Sequence, residues 1–317
     1  MTLEILPFNS KNENTWDDFV NSAVNATFLH SRKFLNYHGD RFKDVSILIF
    51  NSNKLVGVFP VSESTVNEKL IISHPGITFG GVIHNGWLSG GRMIDAFIAI
   101  SKYYSETGYQ RLQYKAVPYI YSVRGSQDDL YALFRLQANR IRCDLSCTID
   151  LLSHRAITNR RKRSLKKSQK HVILSKNTFF LDELWTIIMI NLASRHKTIP
   201  VHSLNEITFL MNQFPGSISI YSALIDGIVQ GGVIVFKSTL VWHAQYIAAN
   251  QKAMTVSALD SVFEAAIFDA LQAKVRYFDF GTSNEKGGYF LNENLYRYKS
   301  EFGGGGVVYE VYELQLN

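Results

Sequence analysis

Four apolar segments and one helix in the second half of the chain decide the fold. The segments are residues 218–224 (ISIYSAL), 229–236 (VQGGVIVF), 240–248 (LVWHAQYIA) and 277–281 (YFDFG). The short turn IDG joins the first two segments and predicts a β-hairpin. Between the third and fourth, apolar side chains of residues 256–274 recur every three or four positions, which predicts an amphipathic helix. The predicted order is therefore strand, turn, strand, strand, helix, strand.

The first half of the chain repeats this order in pattern more than in letters. Residues 45–50 (VSILIF) and 55–61 (LVGVFPV) flank a polar turn and predict a second hairpin. A third apolar segment, 69–83, leads into a helix near 93–107, and a strand follows at 111–117. Since self-similarity at this scale indicates a duplicated unit, we expect one architecture to be used twice.

Length and composition support an α/β protein with mixed sheets and two domains. The chain has 317 residues, of which 46% are hydrophobic and only 6 are proline, so it can bury two cores. We place the boundary near residue 150, which predicts one domain at 1–150 and another at 151–317.

Several classes of protein are excluded by what the sequence lacks. The first nineteen residues contain no basic segment followed by an apolar one, and no apolar run approaches the roughly 18 residues of a membrane span. We therefore expect a cytoplasmic protein. Cys143 and Cys147 fit neither a zinc site nor a disulfide framework, so we expect reduced structural thiols and no metal.

The positive charge of the chain is concentrated in one run. The formal net charge is +6, and residues 160–170 alone hold seven cations. Such a run can bind the phosphates of a nucleotide, a coenzyme or RNA, but it is equally typical of a solvated helix face. The cations are Arg160, Arg161, Lys162, Arg163, Lys166, Lys167 and Lys170.

Six stretches that cover most of the chain carry a family resemblance. They are FLHSRKFLNYHGDRFKD (28–44), ISHPGITFGG (72–81), AVPYIYSVRGSQDDLYALF (116–134), LASRHKTIPVHS (192–203), HAQYIAAN (243–250) and YFDFGTSNEKGGYFLNENLYRYKSEFGG (277–304). The most specific match is YKSEFG at 298–303. The chain resembles the FemABX-related, two-domain branch of the Gcn5-related N-acetyltransferase (GNAT) superfamily. This branch includes the sugar-nucleotide N-acyltransferases of surface-polysaccharide gene clusters, some of which acylate a dTDP-linked 3-amino sugar.

The resemblance implies two tandem GNAT-like domains, each a mixed sheet with helices on both faces. In that fold the strand before the central helix splays from the strand after it, and acyl-coenzyme A (acyl-CoA) enters the gap. The resemblance therefore implies acyl-CoA as a co-substrate and no permanently bound cofactor.

On the donor side, the strand before the helix presents polar side chains near its predicted opening. Backbone N–H groups on an opened edge could bond the pantetheine arm and the thioester oxygen. Ordinary strand alternation with a half-buried histidine explains the same pattern. Ser257 and Asp260 predict a capping box at the start of the helix. The predicted donor-binding residues are His243, Gln245, Tyr246, Ala248 and Ser257.

Three residues are candidates for the chemistry. Asp279 stands in an apolar strand, where an unpaired carboxylate is costly, and it could orient an ammonium group and take its proton. His196, in a loop-like region after an apolar helix, is an alternative base. The family resemblance implies that Lys299 stabilises developing negative charge. The alternatives are a structural ion-pair partner, a structural histidine and a surface lysine, respectively.

For the acceptor, we expect binding by a helix near the N-terminus. Lys33, Tyr37 and Arg41 would share one face of it, with His38 beside them, and two cations flanking a tyrosine suit a pyrophosphate and a base ring. An amphipathic surface helix has the same pattern. Further predicted acceptor residues are His74, Ser283 and Asn284.

One departure from the family puts the donor in question. The GNAT phosphate loop, Arg/Gln-x-x-Gly-x-Gly/Ala, is absent from ANQKAMTVSALDS at 249–261. FemABX enzymes proper use aminoacyl-tRNA, so a tRNA-dependent peptidyltransferase acting on a cell-wall precursor remains an alternative, as does a non-catalytic binding module. We expect acyl-CoA and a nucleotide-linked, dTDP-type amino sugar as partners, direct attack of the amine, and no nucleic acid.

Overall fold

The computed structural model describes residues 3–153 and 156–317, and the side chains of residues 195 and 196 lie outside the described part. The chain divides into two compact units. Unit 1 comprises residues 1–145, 284–290 and 308–317, and unit 2 comprises residues 146–283 and 291–307. The first crossing between units lies close to the predicted boundary near 150. The predicted ranges do not anticipate the later segments that return to unit 1.

The strands, in chain order, are β1 (Leu3–Pro7), β2 (Ile47–Asn51), β3 (Lys54–Phe59), β4 (Ser62–Glu63), β5 (Leu70–Ile72), β6 (Ile83–His84), β7 (Arg111–Lys115), β8 (Asn139–Asp150), β9 (Ile173–Ser175), β10 (Ile218–Ile225), β11 (Ile228–Lys237), β12 (Val241–Ala249), β13 (Tyr277–Thr282), β14 (Asn284–Glu285), β15 (Phe290–Leu291) and β16 (Gly305–Gln315). The α-helices are α1 (Glu13–Ser22), α2 (Arg32–Leu35), α3 (Gly91–Glu106), α4 (Asp128–Arg135), α5 (Asn159–Ser168), α6 (Leu181–Asn191), α7 (Leu204–Gln213), α8 (Gln251–Thr255), α9 (Ala258–Gln272) and α10 (Glu293–Ser300).

Unit 1 is built on two groups of strands. β1, β2, β3 and β6 pair antiparallel in that order. β5 pairs antiparallel with β4 and parallel with β7, and residues 311–315 of β16 pair antiparallel with β7. The core gathers around helix α3, whose Met93, Phe97 and Ile100 are fully buried at the three- and four-residue spacing of one helix face.

Unit 2 is a mixed sheet with helices against it. β9, β10, β11 and β12 are antiparallel neighbours, β12 and β13 run parallel, and β13 pairs antiparallel with residues 146–150 of β8. Helix α9 buries Val262, Phe263, Ala266 and Ala270 in the core, as its periodicity predicts. The Phe263 ring lies 4.8 Å from that of Phe280 on β13, so α9 packs directly onto β13.

Both predicted hairpins and both central helices are confirmed, whereas two local predictions are wrong. Residues 69–83 are not one strand, because β5 ends at Ile72 and β6 begins at Ile83. Ser257 does not form a capping box: it adopts a left-handed conformation (φ 60°) and caps no N–H with its side chain. Asp260 instead accepts hydrogen bonds from Arg161 and Tyr298. Within the described ranges, every helix is too short or too polar to cross a membrane.

Candidate active site

The parallel strands β12 and β13 separate soon after they meet. Their ladder joins residues 241–243 to residues 277–279 and ends at the pair His243 and Asp279. β12 nevertheless continues to Ala249, and β13 continues to Thr282 through Gly281, whose φ of +76° favours glycine. We call this opening the fork. Beyond His243, the ladders of the described strands pair β12 with β11 on one side, so its other edge faces the fork.

A buried carboxylate lies at the base of the fork. Asp279 is 0% exposed, and its Oδ2 accepts a hydrogen bond from Nδ1 of His243 at 2.7 Å. Its Oδ1 accepts hydrogen bonds from the hydroxyls of Thr148, at 2.7 Å, and Ser146, both on β8. We call these four residues the relay. The relay satisfies a carboxylate that would otherwise be costly to bury.

The relay keeps Asp279 ionised. Burial by itself raises the pKa of this carboxyl, but the hydrogen bond from His243, the attraction of the His243 ring in its protonated form, and the hydroxyl donors Ser146 and Thr148 outweigh it. The net pKa lies below the ordinary value. Asp279 therefore carries a negative charge at neutral pH, and a carboxylate with all its partners in place is a hydrogen-bond acceptor, not a mobile base.

The ionisation of Asp279 fixes the tautomer of His243. Because a carboxylate can only accept, Nδ1 must donate, and Nε2 of the neutral ring is left with a lone pair. The His243 side chain is 13% exposed, whereas the carboxylate behind it is sealed from solvent. This arrangement matches a general base whose second nitrogen is held by a third group.

Lys299 of α10 secures the end of β13. It is buried, and its Nζ donates to the carbonyl oxygens of Gly281 at 2.9 Å and Thr282 at 2.7 Å. Burial lowers the pKa of this amine to about 8, against the raising influence of Asp279. The amine thus holds the backbone at the point where β13 leaves β12. Its predicted contact with the reacting centre is not visible in this geometry.

Solved structures with the same fold include three relatives at very low sequence identity. FemX is 9% identical with a TM-score of 0.68, over 97% of this chain and 96% of that one. A tandem GNAT protein from the clavulanic acid biosynthesis pathway is 10% identical with a TM-score of 0.57, over 100% and 99%. The C-terminal domain of a putative lysylphosphatidylglycerol synthetase from Agrobacterium fabrum is 11% identical with a TM-score of 0.58, over 83% and 81%. No curated protein sequence matches the chain.

A family match covers most of unit 2. Residues 153–300 match the family described as the acetyltransferase (GNAT) domain, and this range contains β12, β13 and α10. Residues 153–300 therefore carry an acetyltransferase (GNAT) domain, and the protein is an acyltransferase. Its fold is that of the FemABX-related, two-domain GNAT proteins, as the repeated element order predicted.

The donor-side predictions for the acyltransferase separate into two groups. His243 and Gln245 are half-buried on β12, and a bulge in the β11–β12 ladder falls at Gln245. Tyr246 and Ala248 are buried, and the Tyr246 hydroxyl lies 2.6 Å from Nδ1 of His202. The Tyr246 side chain is therefore part of the core, and a contact of its backbone N–H with the donor stays a prediction. Ser257 lies between α8 and α9, at the N-terminal end of α9, and its contact with the donor stays a prediction.

The predicted acceptor helix is not one helix. α2 ends at Leu35, and the following 3-10 segment is interrupted at Gly39, where φ is 54° and ψ is −135°. Lys33 and Arg41 are exposed, but His38 is buried, with its ring 5.2 Å from that of His74. The prediction of one continuous binding face is therefore wrong, because Gly39 redirects the chain between Tyr37 and Arg41.

The other predicted acceptor residues have structural surroundings. Burial lowers the pKa of His74 to about 2, so this histidine is neutral in the core of unit 1. Asn284 organises the β14–β15 hairpin: its amide donates to the Gly288 carbonyl at 3.0 Å, and its Oδ1 accepts from the Leu145 amide at 2.5 Å. Ser283 is buried in unit 2. The His196 side chain lies outside the described residues.

The basic run forms helix α5, which packs on α9. Arg161 is buried, and its guanidinium donates to Asp260 at 2.7 Å and to Glu301 at 3.0 Å. The Nζ of Lys167 donates to the Thr255 carbonyl at 2.7 Å, next to the start of α9. The run thus combines one structural arginine with exposed cations, and neither of the two predicted readings describes all of it.

Sequence reasoning missed Ser146 and Thr148. They lie in the segment RCDLSCTID of β8, two residues apart, so both point to the same face of the strand. Their partner Asp279 is more than 130 residues away in sequence. The one available signal was the need of a buried Asp279 for donors, which does not identify where they come from.

Proposed function

We propose that this acyltransferase transfers an acyl group from acyl-CoA to the amino group of a nucleotide-linked amino sugar, with His243 as the general base. The observation that carries the proposal is the hydrogen bond between His243 and Asp279 at the base of the fork. It supplies a base whose side chain is partly exposed, next to a strand edge suited to a thioester.

The sequence prediction that Asp279 takes the proton is replaced in this proposal. Asp279 is fully buried and its two oxygens already accept hydrogen bonds, so it orients His243 and stabilises the ring when it becomes charged. His243 is the group that contacts the amine. His196 is not needed for this scheme.

In the reaction, the amine nitrogen attacks the thioester carbonyl carbon, a C–N bond forms, and the carbonyl oxygen becomes an oxyanion. The amine loses its proton to Nε2 of His243. The intermediate then collapses, the C–S bond breaks, and the protonated His243 returns the proton to the departing coenzyme A thiolate. Backbone N–H groups of β12 beyond His243 stabilise the oxyanion. Direct transfer is favoured because burial raises the pKa of Cys147 to about 12, so this thiol is a poor nucleophile.

The acceptor class rests on the family resemblance of the six sequence stretches. A nucleotide-linked sugar with a free amine, dTDP-linked in the first instance, would be acylated with an acetyl or 3-hydroxybutyryl group for O-antigen or capsule synthesis in the cytoplasm. The exposed Lys33 and Arg41, with Arg41 placed 5.3 Å over the Tyr37 ring, remain suited to a phosphate and a base.

A second candidate is transfer from aminoacyl-tRNA to a cell-wall precursor. It is favoured by the exposed cations of α5 and by the missing GNAT phosphate loop at residues 249–261. Both candidates use the same relay, because each needs an amine to be deprotonated. They differ in the acyl donor.

The test is a thiol-release assay on purified protein with acetyl-CoA and 3-hydroxybutyryl-CoA, each against a panel of dTDP- and UDP-linked amino sugars. We expect release that depends on both substrates and that His243→Asn abolishes. Absence of release with every pair, together with amino-acid transfer from charged tRNA, would replace the first candidate by the second.

A further inference from the structure

The relay contains two hydroxyl groups that acyl transfer itself does not require. Ser146 and Thr148 are buried on β8, and both donate to Oδ1 of Asp279. His243 uses the other carboxylate oxygen, Oδ2. The two oxygens of Asp279 therefore have separate partners, one strand on each side.

We propose that Ser146 and Thr148 are positioning residues that hold Asp279 ionised and in one orientation, so that Nε2 of His243 stays free to accept the proton of the substrate amine. The proposal rests on the proposed function, in which His243 is the base. It assigns a role in the reaction to β8, which pairs with β13 on the side away from β12.

Loss of a hydroxyl donor would change which atoms of the Asp279 and His243 pair carry protons. A buried carboxylate that loses donors is driven to take up a proton. A protonated Asp279 would donate to Nδ1 of His243 and thereby move the imidazole proton to Nε2. That tautomer has no lone pair facing the fork, so the base would be lost although every residue was still in place.

Orientation depends on the same hydroxyls. Rotation of the Asp279 carboxyl about its Cβ–Cγ bond would break the bonds to Ser146 and Thr148 together, since both end on Oδ1. The donors come from β8, whose Thr148 lies opposite Asp279 in the ladder with β13. The backbone ladder and the side-chain hydrogen bonds thus both join β8 to β13.

Titratable groups on three elements interact with Asp279. They include His243 on β12, Lys299 on α10 and Cys147 on β8. Burial sets the pKa of the Lys299 amine to about 8 and that of the Cys147 thiol to about 12, so neither group titrates between pH 5 and 7. A change of the activity profile in this range therefore does not come from either of these two groups.

The test compares two variants of one residue. Thr148→Val keeps the shape and removes the hydroxyl, whereas Thr148→Ser keeps the hydroxyl and removes a methyl group. We expect Thr148→Val to lower kcat about 10-fold with little change in KM for acyl-CoA, and to move the acid limb of the kcat/KM profile to higher pH. Thr148→Ser should retain the wild-type profile, and Ser146→Ala should behave like Thr148→Val.

The sign of the pH shift follows from linkage. Loss of a donor favours the protonated carboxyl, so the pair takes up its first proton at a higher pH and loses activity there. A purely structural role for the hydroxyls predicts lower stability with an unmoved acid limb. That result, or equal damage from Thr148→Ser, would overturn the proposal.

A second measurement does not depend on turnover. Nitrogen-15 NMR of histidine-labelled protein distinguishes the two imidazole tautomers, and the His243 signals are those missing in His243→Asn. We expect the Nδ1-protonated tautomer in the wild type and a mixture in the Thr148→Val, Ser146→Ala double variant. An unchanged tautomer would overturn the positioning role. If the tautomer moves while the wild type shows no acyl transfer, the proposed function fails and the positioning of His243 stands.

Discussion

Each unit contains a place where two strands of the repeated architecture separate, and the two places are filled differently. In unit 2, β12 and β13 part after His243 and Asp279, and the histidine reaches partial exposure. In unit 1, β6 and β7 correspond to β12 and β13, respectively. They belong to different sheets, and Tyr114 of β7 connects them. Its hydroxyl accepts from the Val82 amide at 2.9 Å and donates to Asp129 at 2.7 Å.

The two carboxylates show what this difference means. Burial raises the pKa of Asp129 to about 6, against the lowering influence of the Tyr114 hydrogen bond. Asp279 is equally buried, but its three side-chain donors bring its pKa below the ordinary value. A buried tyrosine bridges the gap between strands, while a histidine with an exposed edge can exchange protons. The duplicated fold therefore provides a structural link in unit 1, and in unit 2 it provides the histidine that we propose as the base.

The strongest test of this comparison removes the base. His243→Asn keeps an amide nitrogen that can donate to Asp279 but cannot take a proton. We expect kcat to fall about 10²- to 10³-fold with KM for acyl-CoA nearly unchanged, because only the transition-state interaction is lost. His171→Asn, an exposed histidine of unit 2, is the matched control. Activity near the wild-type value in folded His243→Asn would contradict the assignment.

The next effect concerns the end of β13. Lys299→Met leaves the carbonyls of Gly281 and Thr282 without the amine and removes a positive charge that acts on Asp279. We expect kcat to fall about 10- to 10²-fold, with a lower melting temperature. Steady-state kinetics and thermal melting measure both. Lys252→Met, at an exposed lysine, should change neither, and a variant that raises only KM would assign Lys299 to substrate binding instead.

The fold could be predicted from the sequence further than the site. The apolar runs of β10 and β11, the alternation in β12 and the helical spacing in α9 are local signals, and the structure confirms them. Asp279 could be identified from the sequence, because a carboxylate in an apolar strand needs hydrogen-bond donors. Its donors could not be predicted, since hydroxyls on β8 have no distinctive pattern. His38 was misplaced because local spacing does not show that Gly39 breaks the helix.

In unit 1 the comparison predicts a loss of stability without a loss of activity. Tyr114→Phe leaves the Val82 amide and the Asp129 carboxyl without the hydroxyl that joins them. We expect about 1–3 kcal/mol of destabilisation and a kcat within about twofold of wild type. Urea unfolding and thiol-release rates are the two measurements. Tyr131→Phe, at a half-exposed tyrosine of α4, is the control, and a large fall in kcat for Tyr114→Phe would show that unit 1 takes part in the reaction.

Unit 1 should also be sensitive to acid. Burial lowers the pKa of His30 and of His84 to about 4 each, so both are neutral in the folded state. Because the unfolded histidines bind protons below their ordinary pKa of about 6.5, the stabilisation present above that pH is lost as the pH falls toward 4. We expect about 1 kcal/mol or more of loss per histidine between pH 6.5 and 5.

Protonation of Asp129 acts in the opposite direction, since its folded pKa of about 6 is raised by burial, so the net slope is reduced. Urea titrations at pH 7.5, 6.0 and 5.0 measure it. His30→Asn should flatten the dependence. A stability that does not change over this range would show that these histidines are solvated or already protonated in the folded unit.

The smallest effect concerns the cations of α5. Replacing Arg161 would leave Asp260 and Glu301 without this ion-pair partner and disturb folding. Such a variant cannot report on phosphate binding. Arg163 and Lys167 are four residues apart on the flank that reaches the Thr255 carbonyl, whereas Lys162 and Lys166 lie about 100° around the helix.

If the run binds the phosphates of acyl-CoA, the Arg163→Gln, Lys167→Gln variant should raise KM for acyl-CoA about 3- to 10-fold and weaken its salt dependence. The Lys162→Gln, Lys166→Gln variant removes the same charge from the same helix and should raise KM less than twofold. The comparison is made at 50 and 200 mM salt, so that a general effect of net charge appears in both variants. Equal, small effects would assign α5 to a solvated face, and the acyltransferase would then depend on the backbone around the fork to hold its donor.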